Sequence, residues 1–332
     1  MESITETSIY MQSPVKISHE AQELLCCPIC HAKLKRVGQE FECQRPECST
    51  TFPILDGVPV LLNEKSSLFT IDDFVSHRNT FFSDADKGKL NKFLRRLKPT
   101  ISRNISAKQN YRRLSELLLR QSTSPRVLVL GGSRLGSGME AIAHTPSIEW
   151  VATDVSFGPL VTLICDAHDI PFEDQSFDGV IVQAVLEHVV DPYRCTEEVH
   201  RVLKEQGIVY AETPFMQQVH GRQYDFTRFT HLGHRRLFRR FEEIKSGAVC
   251  GPGMAFAWSY QYFLMSFATS KTLRTCLRGF ANLTSFYLTY LDYFLIEKPG
   301  TLDAASACYF MGRKSVDTLS DRELLKLYKG AG

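Results

Sequence analysis

Residues 128–139 read LVLGGSRLGSGM, and this stretch decides the fold class. A short apolar run leads into four closely spaced glycines, and residues that favour a helix follow. This order is typical of a buried strand, a tight turn and a helix, the last expected over 138–144. The glycines fit neither G-x-G-x-x-G nor the Gly-Lys-Ser/Thr end of a phosphate loop. The loop therefore disfavours a dinucleotide, and it disfavours ATP still more.

Further strand and helix patterns follow the loop and end in acidic residues. The segment EWVATD ends at Asp154, about 20 residues after the glycines, where a carboxylate can accept both hydroxyls of a ribose. A third strand, VTLICD, ends at Asp166, and a fourth begins near Ser176. Alternating short strands and helices predict a mostly parallel sheet with helices on both faces, which binds its ligand at the carboxyl ends of the strands.

The ordered motifs between residues 126 and 313 resemble those of the class I S-adenosylmethionine-dependent methyltransferases, in particular the type 11 group. They are the glycine loop, the two acid-tipped strands and the run DAHDIPFEDQSFDGVIVQAVLEHV. The resemblance implies that Asp154 takes the ribose, Asp166 the adenine amino group and the glycine loop the methionine end of S-adenosylmethionine. The implied cofactor-binding set is Gly131, Gly132, Gly136, Gly138, Asp154, Asp166, Ala167 and Gln183. Val129 departs from the family, which usually has an acidic residue there.

Four cysteines near the N-terminus form two pairs, Cys27-Pro-Ile-Cys30 and Cys43 to Cys48. Four thiolates at such spacings are typical of a tetrahedral zinc site, and four protein ligands leave no open position, so we expect structural rather than catalytic Zn²⁺. The segment TFPILDGVPVLL at 51–62 predicts a closing hairpin around an Asp-Gly turn. This module resembles the zinc ribbons related to the small activator protein of certain tRNA methyltransferases.

The segment after the fifth strand (208–213), PFMQQVHGRQYDFTRFTHLGHRRLF, is rich in polar side chains where a strand-end loop faces the ligand crevice. His220 is the preferred general base for a hydroxyl acceptor, and Asp225 could orient or replace it. The alternative is that these residues only form a hydrogen-bonded loop scaffold. Glu187 and His188 are expected to start a helix under the cofactor. The chain lacks the Asn/Asp-Pro-Pro element of adenine and glutamine methyltransferases and the Pro-Cys nucleophile of pyrimidine C5 methyltransferases.

About 55 residues separate the expected sixth strand (242–250) from the seventh (306–314), and they are rich in Phe, Tyr, Leu and Met at helical spacing. Helices that pack on the sheet explain this pattern, as does a lid for an apolar substrate. No uninterrupted apolar run of 18 residues occurs, so we expect no transmembrane segment. Before the catalytic domain, a basic stretch from Lys87 to Arg113 contains an apolar stripe that fits a solvated helix or an anionic membrane surface. That stripe consists of Leu90, Phe93, Leu94 and Leu97.

The net charge of +2 neither demands nor excludes a nucleic-acid partner. The N-terminus lacks the basic and apolar blocks of a signal peptide, so we expect a cytoplasmic protein. The basic stretch and the aromatic insertion leave peripheral membrane contact open as a further possibility. The fold expected is α/β: a doubly wound, seven-stranded, Rossmann-like methyltransferase sheet with a small N-terminal zinc ribbon and a helical insertion before the last strand. The expected domains are a flexible tail (1–22), the zinc ribbon (23–63), a basic helical linker (64–122), the methyltransferase domain (123–250 and 301–316), the insertion (251–300) and a C-terminal tail (317–332).

These observations favour methyl transfer to an oxygen of a small molecule or a glycan, which a lipid could carry. The pairing of an aromatic insertion with basic segments motivates this acceptor. One alternative is an rRNA or tRNA base methyltransferase that binds its substrate through the basic stretches. We disfavour nucleic acid because the insertion is apolar. Another alternative is a non-catalytic binding protein that retains the fold.

Overall fold

The computed structural model describes residues 15–78, 80 and 99–331. The apolar stripe at 90–97 and most of the expected N-terminal tail lie outside these residues. The N-terminal module begins with helix α1 (His19–Gln22) and continues as a four-stranded antiparallel sheet. Its strands, in both chain and sheet order, are β1 (Leu34–Val37), β2 (Glu40–Cys43), β3 (Thr51–Leu55) and β4 (Val58–Pro59).

A tight hairpin joins β3 to β4, as the sequence predicts. Asp56 and Gly57 form its two-residue turn with φ values of 50° and 77°. Two consecutive positive φ angles are typical of the turn that matches the twist of the flanking strands.

The main sheet contains seven strands: β5 (Arg126–Leu130), β6 (Glu149–Asp154), β7 (Leu163–Ile164), β8 (Phe177–Gln183), β9 (Leu203–Pro214), β10 (Phe241–Cys250) and β11 (Ala307–Lys314). Their order in the sheet is β10-β11-β9-β8-β5-β6-β7. Strand β11 runs antiparallel to both of its neighbours, and the remaining strands run parallel to one another. This confirms the predicted sheet and its antiparallel last strand.

Helices cover both faces of the main sheet. On β5, Val127 and Val129 belong to one buried cluster and Leu128 and Leu130 to the other, because successive strand residues point to opposite faces. The helices outside the insertion are α2 (Ile71–Val75), α3 (Ala107–Gln121), α4 (Glu140–Ala143), α5 (Pro192–Val202), α6 (His231–Leu237), α10 (Thr301–Ala304) and α11 (Asp321–Leu325). The doubly wound α/β architecture is thus confirmed.

A helical insertion lies between β10 and β11, as predicted. Its main helices are α7 (Pro252–Met265), α8 (Lys271–Ser285) and α9 (Leu288–Leu295). The buried Asp292 carboxylate on α9 accepts hydrogen bonds from the backbone N–H groups of Gly253 and Met254 and so fixes α9 to the start of α7. Within the described ranges, no helix is both long and apolar enough to cross a membrane.

Helix α3 packs directly on the main sheet, although the sequence analysis assigns it to the linker. Its Tyr111, Leu114 and Leu118 are fully buried with residues of β5 and β8. The amphipathic spacing of these residues therefore serves the methyltransferase core.

Three local predictions are wrong in extent or place. The helix expected over 138–144 spans only Glu140–Ala143, and the third strand is confined to Leu163–Ile164. Glu187 and His188 lie in a turn instead of starting a helix. Helix α5 starts at Pro192 because the Asp191 side chain accepts two backbone N–H bonds as its cap and proline suits the first helical position.

The zinc-ribbon module packs against the β7 edge of the main sheet. The Leu61 N–H donates to the Ile164 carbonyl at 2.9 Å, and the Cys26 N–H donates to the Pro171 carbonyl at 3.1 Å. Phe41 and Phe52 of the module share one buried cluster with Leu163 and Phe172. The two sheets therefore have one continuous core.

Candidate active site and zinc centre

The four predicted cysteine ligands come together in the ribbon. Sγ of Cys27 lies 3.8 Å from that of Cys48, Sγ of Cys30 lies 3.5 Å from that of Cys43, and all four atoms lie within 4.8 Å of one another. Tetrahedral zinc with Zn–S bonds of about 2.3 Å places neighbouring sulfurs about 3.8 Å apart. The cluster fits structural Zn²⁺, whose four ligands all come from the protein.

A cavity of about 230 Å³ lies at the carboxyl ends of β5, β6 and β8. Its place is the one expected for the ligand of a parallel α/β sheet. The predicted cofactor residues that line it are Gly131, Gly136, Asp154, Asp166, Ala167 and Gln183. The structure thus brings six of the eight predicted cofactor-binding residues to one cavity.

The other two glycines of the loop, Gly132 and Gly138, are not among the residues that line the cavity. The Gly132 N–H donates to the Thr153 carbonyl at 2.8 Å and ties the loop to β6. A Cβ on Gly138 would lie 2.7 Å from the backbone nitrogen of Lys108 on α3. These two positions shape the loop through packing.

Gly131 and Gly136 bring the backbone close to the cavity. Gly131 adopts a φ of +74°, which favours glycine, at the turn after β5. A Cβ on Gly136 would lie 1.6 Å from Oε1 of Gln183, so a larger residue here would displace the end of that side chain.

The two strand-tip carboxylates have different electrostatic environments. Oδ2 of Asp154 accepts the Ser133 N–H at 2.9 Å, and burial raises the pKa of this carboxyl. Oδ2 of Asp166 accepts the Ser67 hydroxyl at 2.6 Å, and Oδ1 lies 2.6 Å from Nδ1 of His168. Burial opposes ionisation of Asp166, but its hydrogen bond and charge interaction with His168 outweigh burial and lower its pKa.

Part of the cavity wall comes from the segment that follows the ribbon, which sequence reasoning missed. Leu68 and Phe69 line the cavity, and the Phe69 ring lies 5.6 Å from the ring of Tyr224, another lining residue. In the sequence, the only local sign of this contact is the apolar pair Leu68-Phe69 within an otherwise polar connecting segment. Its contact with the acidic strand ends depends on the tertiary fold.

The loop after β9, residues 215–230, crosses the edge of this cavity and carries His220. The backbone N–H groups of Phe226 and Thr227 donate to the Glu187 carbonyl and hold the loop to the turn after β8. The His220 ring centroid lies 5.1 Å from that of His188, which lines the cavity. His220 is therefore next to the cavity wall without forming part of it.

Asp225 anchors this loop. Its carboxylate pairs with Arg228 and accepts the backbone N–H groups of His220 and Gly221 at 2.7 and 3.1 Å. Burial raises the pKa of Asp225, but the hydrogen bonds from Arg228 and these backbone groups outweigh burial and hold it far below its usual value. The carboxyl stays ionised, and its 3.7 Å separation from Nδ1 of His220 suits an orienting role better than that of a base.

Glu187 lies between the two histidines. Its side chain is fully buried, and neither carboxylate oxygen has a hydrogen-bond partner among the described residues. Nε2 of His188 and Nε2 of His220 lie 3.7 and 3.6 Å from Oε1 of Glu187. Burial lowers the pKa of His220, but the neighbouring Glu187 carboxylate outweighs this effect and raises it above its usual value.

Comparisons with known proteins agree with these two sites. Residues 136–211 match the family model described as a methyltransferase domain. The N-terminal part is 34% identical over 59 residues to the UPF0434 protein of Erwinia tasmaniensis, an alignment that covers 17% of this chain and 95% of that protein. The same identity and coverage hold for the UPF0434 protein YcaR of Escherichia coli.

Two solved structures show weaker similarity. The complex of the Haloferax volcanii Trm112 methyltransferase activator with a methyltransferase is 17% identical, with 63% of this chain and 92% of that chain covered and a TM-score of 0.39. Phosphoethanolamine N-methyltransferase 2 of Haemonchus contortus, in complex with S-adenosyl-L-methionine, is 16% identical, with 69% and 61% covered and a TM-score of 0.38.

The strand-end cavity, the matched methyltransferase domain and the four-cysteine cluster lead to one assignment. The N-terminal module belongs to the UPF0434 family, and the chain is a class I S-adenosylmethionine-dependent methyltransferase with a structural zinc ribbon.

Proposed function

We propose that this methyltransferase transfers its methyl group to an oxygen of a small molecule or of a glycan carried on a lipid. One observation supports this acceptor most directly: His220 lies beside the cofactor cavity and in contact with the aromatic insertion. The His220 ring centroid is 5.1 Å from that of His188 and 6.2 Å from that of Trp258 on α7.

S-adenosylmethionine in this cavity would be held by its ribose on Asp154 and by its adenine amino group on Asp166. The backbone at Gly131 and Gly136 would border the methionine end. The cofactor supplies an electrophilic methyl group on a sulfonium. The protein therefore contributes chiefly the alignment of acceptor, methyl carbon and sulfur.

A hydroxyl acceptor must lose its proton, and His220 is the group that we propose receives it. Nδ1 of His220 lies 3.2 Å from the Gln218 carbonyl, which suits an N–H at Nδ1 and an accepting lone pair at Nε2. Asp225 orients the loop through its bonds to the His220 and Gly221 backbone. This division of roles follows from geometry.

The insertion supports an apolar or lipid-linked acceptor. Helix α7 contacts the His220 loop through the Tyr262 hydroxyl, which donates to the Val219 carbonyl at 2.7 Å. Its outer residues and those of α8 and α9 leave a large aromatic surface exposed, which includes Phe256, Phe263, Phe267, Phe280, Tyr287, Tyr293 and Phe294. Exposed Lys271, Arg274 and Arg278 lie on α8, the helix that carries Phe280, and α8 contains no acidic residue. Aromatic side chains beside cations suit an anionic lipid interface.

The acceptor class is tested with purified protein, S-adenosylmethionine labelled in its methyl group, and two substrates, a total lipid extract and bulk RNA. We expect label in the lipid extract. Label confined to RNA would contradict the proposed acceptor.

The role of His220 is tested in the same assay with His220→Gln. We expect this variant to lose at least tenfold in turnover while its affinity for S-adenosylhomocysteine stays unchanged, because His220 lies outside the cavity lining. His144→Gln, an exposed histidine after α4, is the matched control. Turnover of His220→Gln equal to that of the control would contradict the role.

A further inference from the structure

Three side chains with metal-binding atoms converge at the edge of the cavity: Glu187, His188 and His220. One ligand atom from each lies within 4.8 Å of the other two. They come from two segments, the turn after β8 and the loop after β9. The loop reaches the turn because position 221 is glycine, where a Cβ would lie 2.5 Å from the His188 ring.

The buried side chain of Glu187 is the first feature that indicates a metal site. Its side chain is fully buried, and both carboxylate oxygens lack hydrogen-bond partners among the described residues. A carboxylate that is removed from water is destabilising unless hydrogen bonds or a counter-charge compensate for its burial. The described groups that lie at ion-pair distance from Glu187 are the imidazoles of His188 and His220. Arg228 does not neutralise this carboxylate, since its guanidinium pairs with Asp225 and lies 3.5 Å from the far ring nitrogen of His220.

The orientation of the two imidazole rings is the second feature that indicates a metal site. Nδ1 of His188 lies 2.8 Å from the Tyr224 carbonyl, and Nδ1 of His220 lies 3.2 Å from the Gln218 carbonyl. A backbone carbonyl at one ring nitrogen fixes the proton there and leaves the other nitrogen as a metal ligand. In both rings that other nitrogen, Nε2, lies 3.6 to 3.7 Å from Oε1 of Glu187.

These separations fit the spacing of ligands around one ion. Metal–nitrogen and metal–oxygen bonds of about 2.0 to 2.2 Å at tetrahedral angles place neighbouring ligand atoms about 3.4 Å apart. We propose that Oε1 of Glu187 and Nε2 of His188 and His220 bind one divalent transition-metal cation. Three protein ligands leave a position open, and His188 belongs to the cavity wall, so the cation would border the acceptor space.

This inference rests on the proposed methyl transfer to an oxygen. Without a cation, His220 would receive the acceptor proton. With a cation bound, Nε2 of His220 would be a ligand instead, and the cation would promote loss of the acceptor proton to solvent water. The acceptor oxygen then forms the new C–O bond. The electron pair of the broken C–S bond returns to sulfur and gives S-adenosylhomocysteine.

The test uses Mn²⁺ with the full chain loaded with zinc in its cysteine site. Mn²⁺ suits carboxylate ligands, whereas thiolates select Zn²⁺, so Mn²⁺ should leave the ribbon unchanged. Electron paramagnetic resonance counts free and bound Mn²⁺. Quenching of Trp258, whose ring lies 6.2 Å from His220, gives a second readout. We expect one bound Mn²⁺ per chain and a smaller Trp258 signal.

Variants locate the site. His220→Gln and Glu187→Gln should weaken Mn²⁺ binding at least tenfold, while the exposed control positions His144→Gln and Glu116→Gln should bind as the wild type does. His220 is partly exposed on a loop, so its variant keeps the test informative if the buried Glu187→Gln does not fold. Wild type that binds no Mn²⁺, or His220→Gln that binds it with wild-type affinity, would overturn the site.

S-adenosylhomocysteine affinity, measured on the same samples, separates the two proposals. Normal affinity without Mn²⁺ binding would overturn the cation site alone. Label transferred only to RNA, with Mn²⁺ still bound, would overturn the proposed acceptor alone.

Discussion

Glu212, near the end of β9, is buried beside Gln183, which lines the strand-end cavity. Its carboxylate accepts the Tyr210 hydroxyl at 2.6 Å, the Gln183 amide at 2.8 Å and the Asn104 amide at 2.9 Å. Burial raises the pKa of Glu212 to about 7, although all three hydrogen bonds oppose this shift.

This pKa predicts how stability depends on pH. In the unfolded chain Glu212 ionises near pH 4.5, whereas in the folded protein it keeps its proton until about pH 7. The folded state therefore binds more protons in this window. The contribution of Glu212 to the free energy of unfolding is largest below pH 4.5 and falls by on the order of 3 kcal/mol as the pH rises through 7.

Glu212→Gln removes this titration. We expect its free energy of unfolding, measured by chemical denaturation, to fall less between pH 5 and 7.5 than that of the wild type. Glu116→Gln, at an exposed position of α3, should keep the wild-type slope. A slope for Glu212→Gln equal to the wild-type slope would show that Glu212 titrates normally.

The helical insertion has an inner and an outer side that differ in what they contact. Its inner side binds the His220 loop, where the Gln218 amide donates to the Ser259 hydroxyl of α7 at 2.9 Å. Its outer side exposes large aromatic residues, among them Phe263 and Phe267, which are 62% and 70% exposed and stack edge to face. Large exposed apolar patches of this kind often mark interaction surfaces.

The double variant Phe263→Ala/Phe267→Ala tests the lipid surface. Burial of a phenylalanine side chain contributes about 1.5 to 3 kcal/mol, so partial burial of two predicts at least a tenfold loss of binding to anionic phospholipid vesicles. Co-sedimentation measures this binding. Val316→Ala is the control, since Val316 is 97% exposed just after β11, at the opposite end of the sheet. Equal binding by the double variant and the control would exclude these residues from a lipid contact.

The elements that the sequence predicted well are those with a strong local pattern. Strands β5, β6 and β8 are short apolar runs, and the acidic tip of β6 at Asp154 lies where the pattern places it. The start of α5 was missed although a local signal exists, because Asp191-Pro192 is a cap followed by a first-turn proline.

Other features of the site depend on contacts between distant residues. Ser67 is 99 positions from Asp166, yet its hydroxyl binds that carboxylate. Glu187 and His220 meet because backbone hydrogen bonds fix the intervening loop, and no periodicity in the sequence encodes this contact. Such long-range placements require the tertiary fold.

The zinc ribbon and the methyltransferase sheet share one hydrophobic core. Leu61 of the ribbon bonds to Ile164 of β7, two residues before Asp166. In the segment that leaves the ribbon, Ser67 bonds to the Asp166 carboxylate and Phe69 lines the strand-end cavity. Metal binding contributes directly to the folding of small zinc modules. Loss of zinc should therefore disturb one wall of the cavity.

Cys30→Ala tests this coupling. We expect the variant to lose zinc, measured by metal analysis, and to bind S-adenosylhomocysteine at least tenfold more weakly. Cys276→Ala, an exposed thiol on α8, should keep both properties. Full cofactor affinity in a zinc-free chain would show that the ribbon and the cavity are independent.

We expect the strand-end cavity to hold the cofactor through Asp154. Isothermal titration of S-adenosylhomocysteine into wild type and Asp154→Asn measures the contribution of this carboxylate. We expect the wild type to bind one molecule, and the variant to bind 10- to 100-fold more weakly, because hydrogen bonds to a charged group contribute about 1.5 to 3 kcal/mol. Equal affinity in a variant that has the melting temperature of the wild type would show that Asp154 does not hold the cofactor.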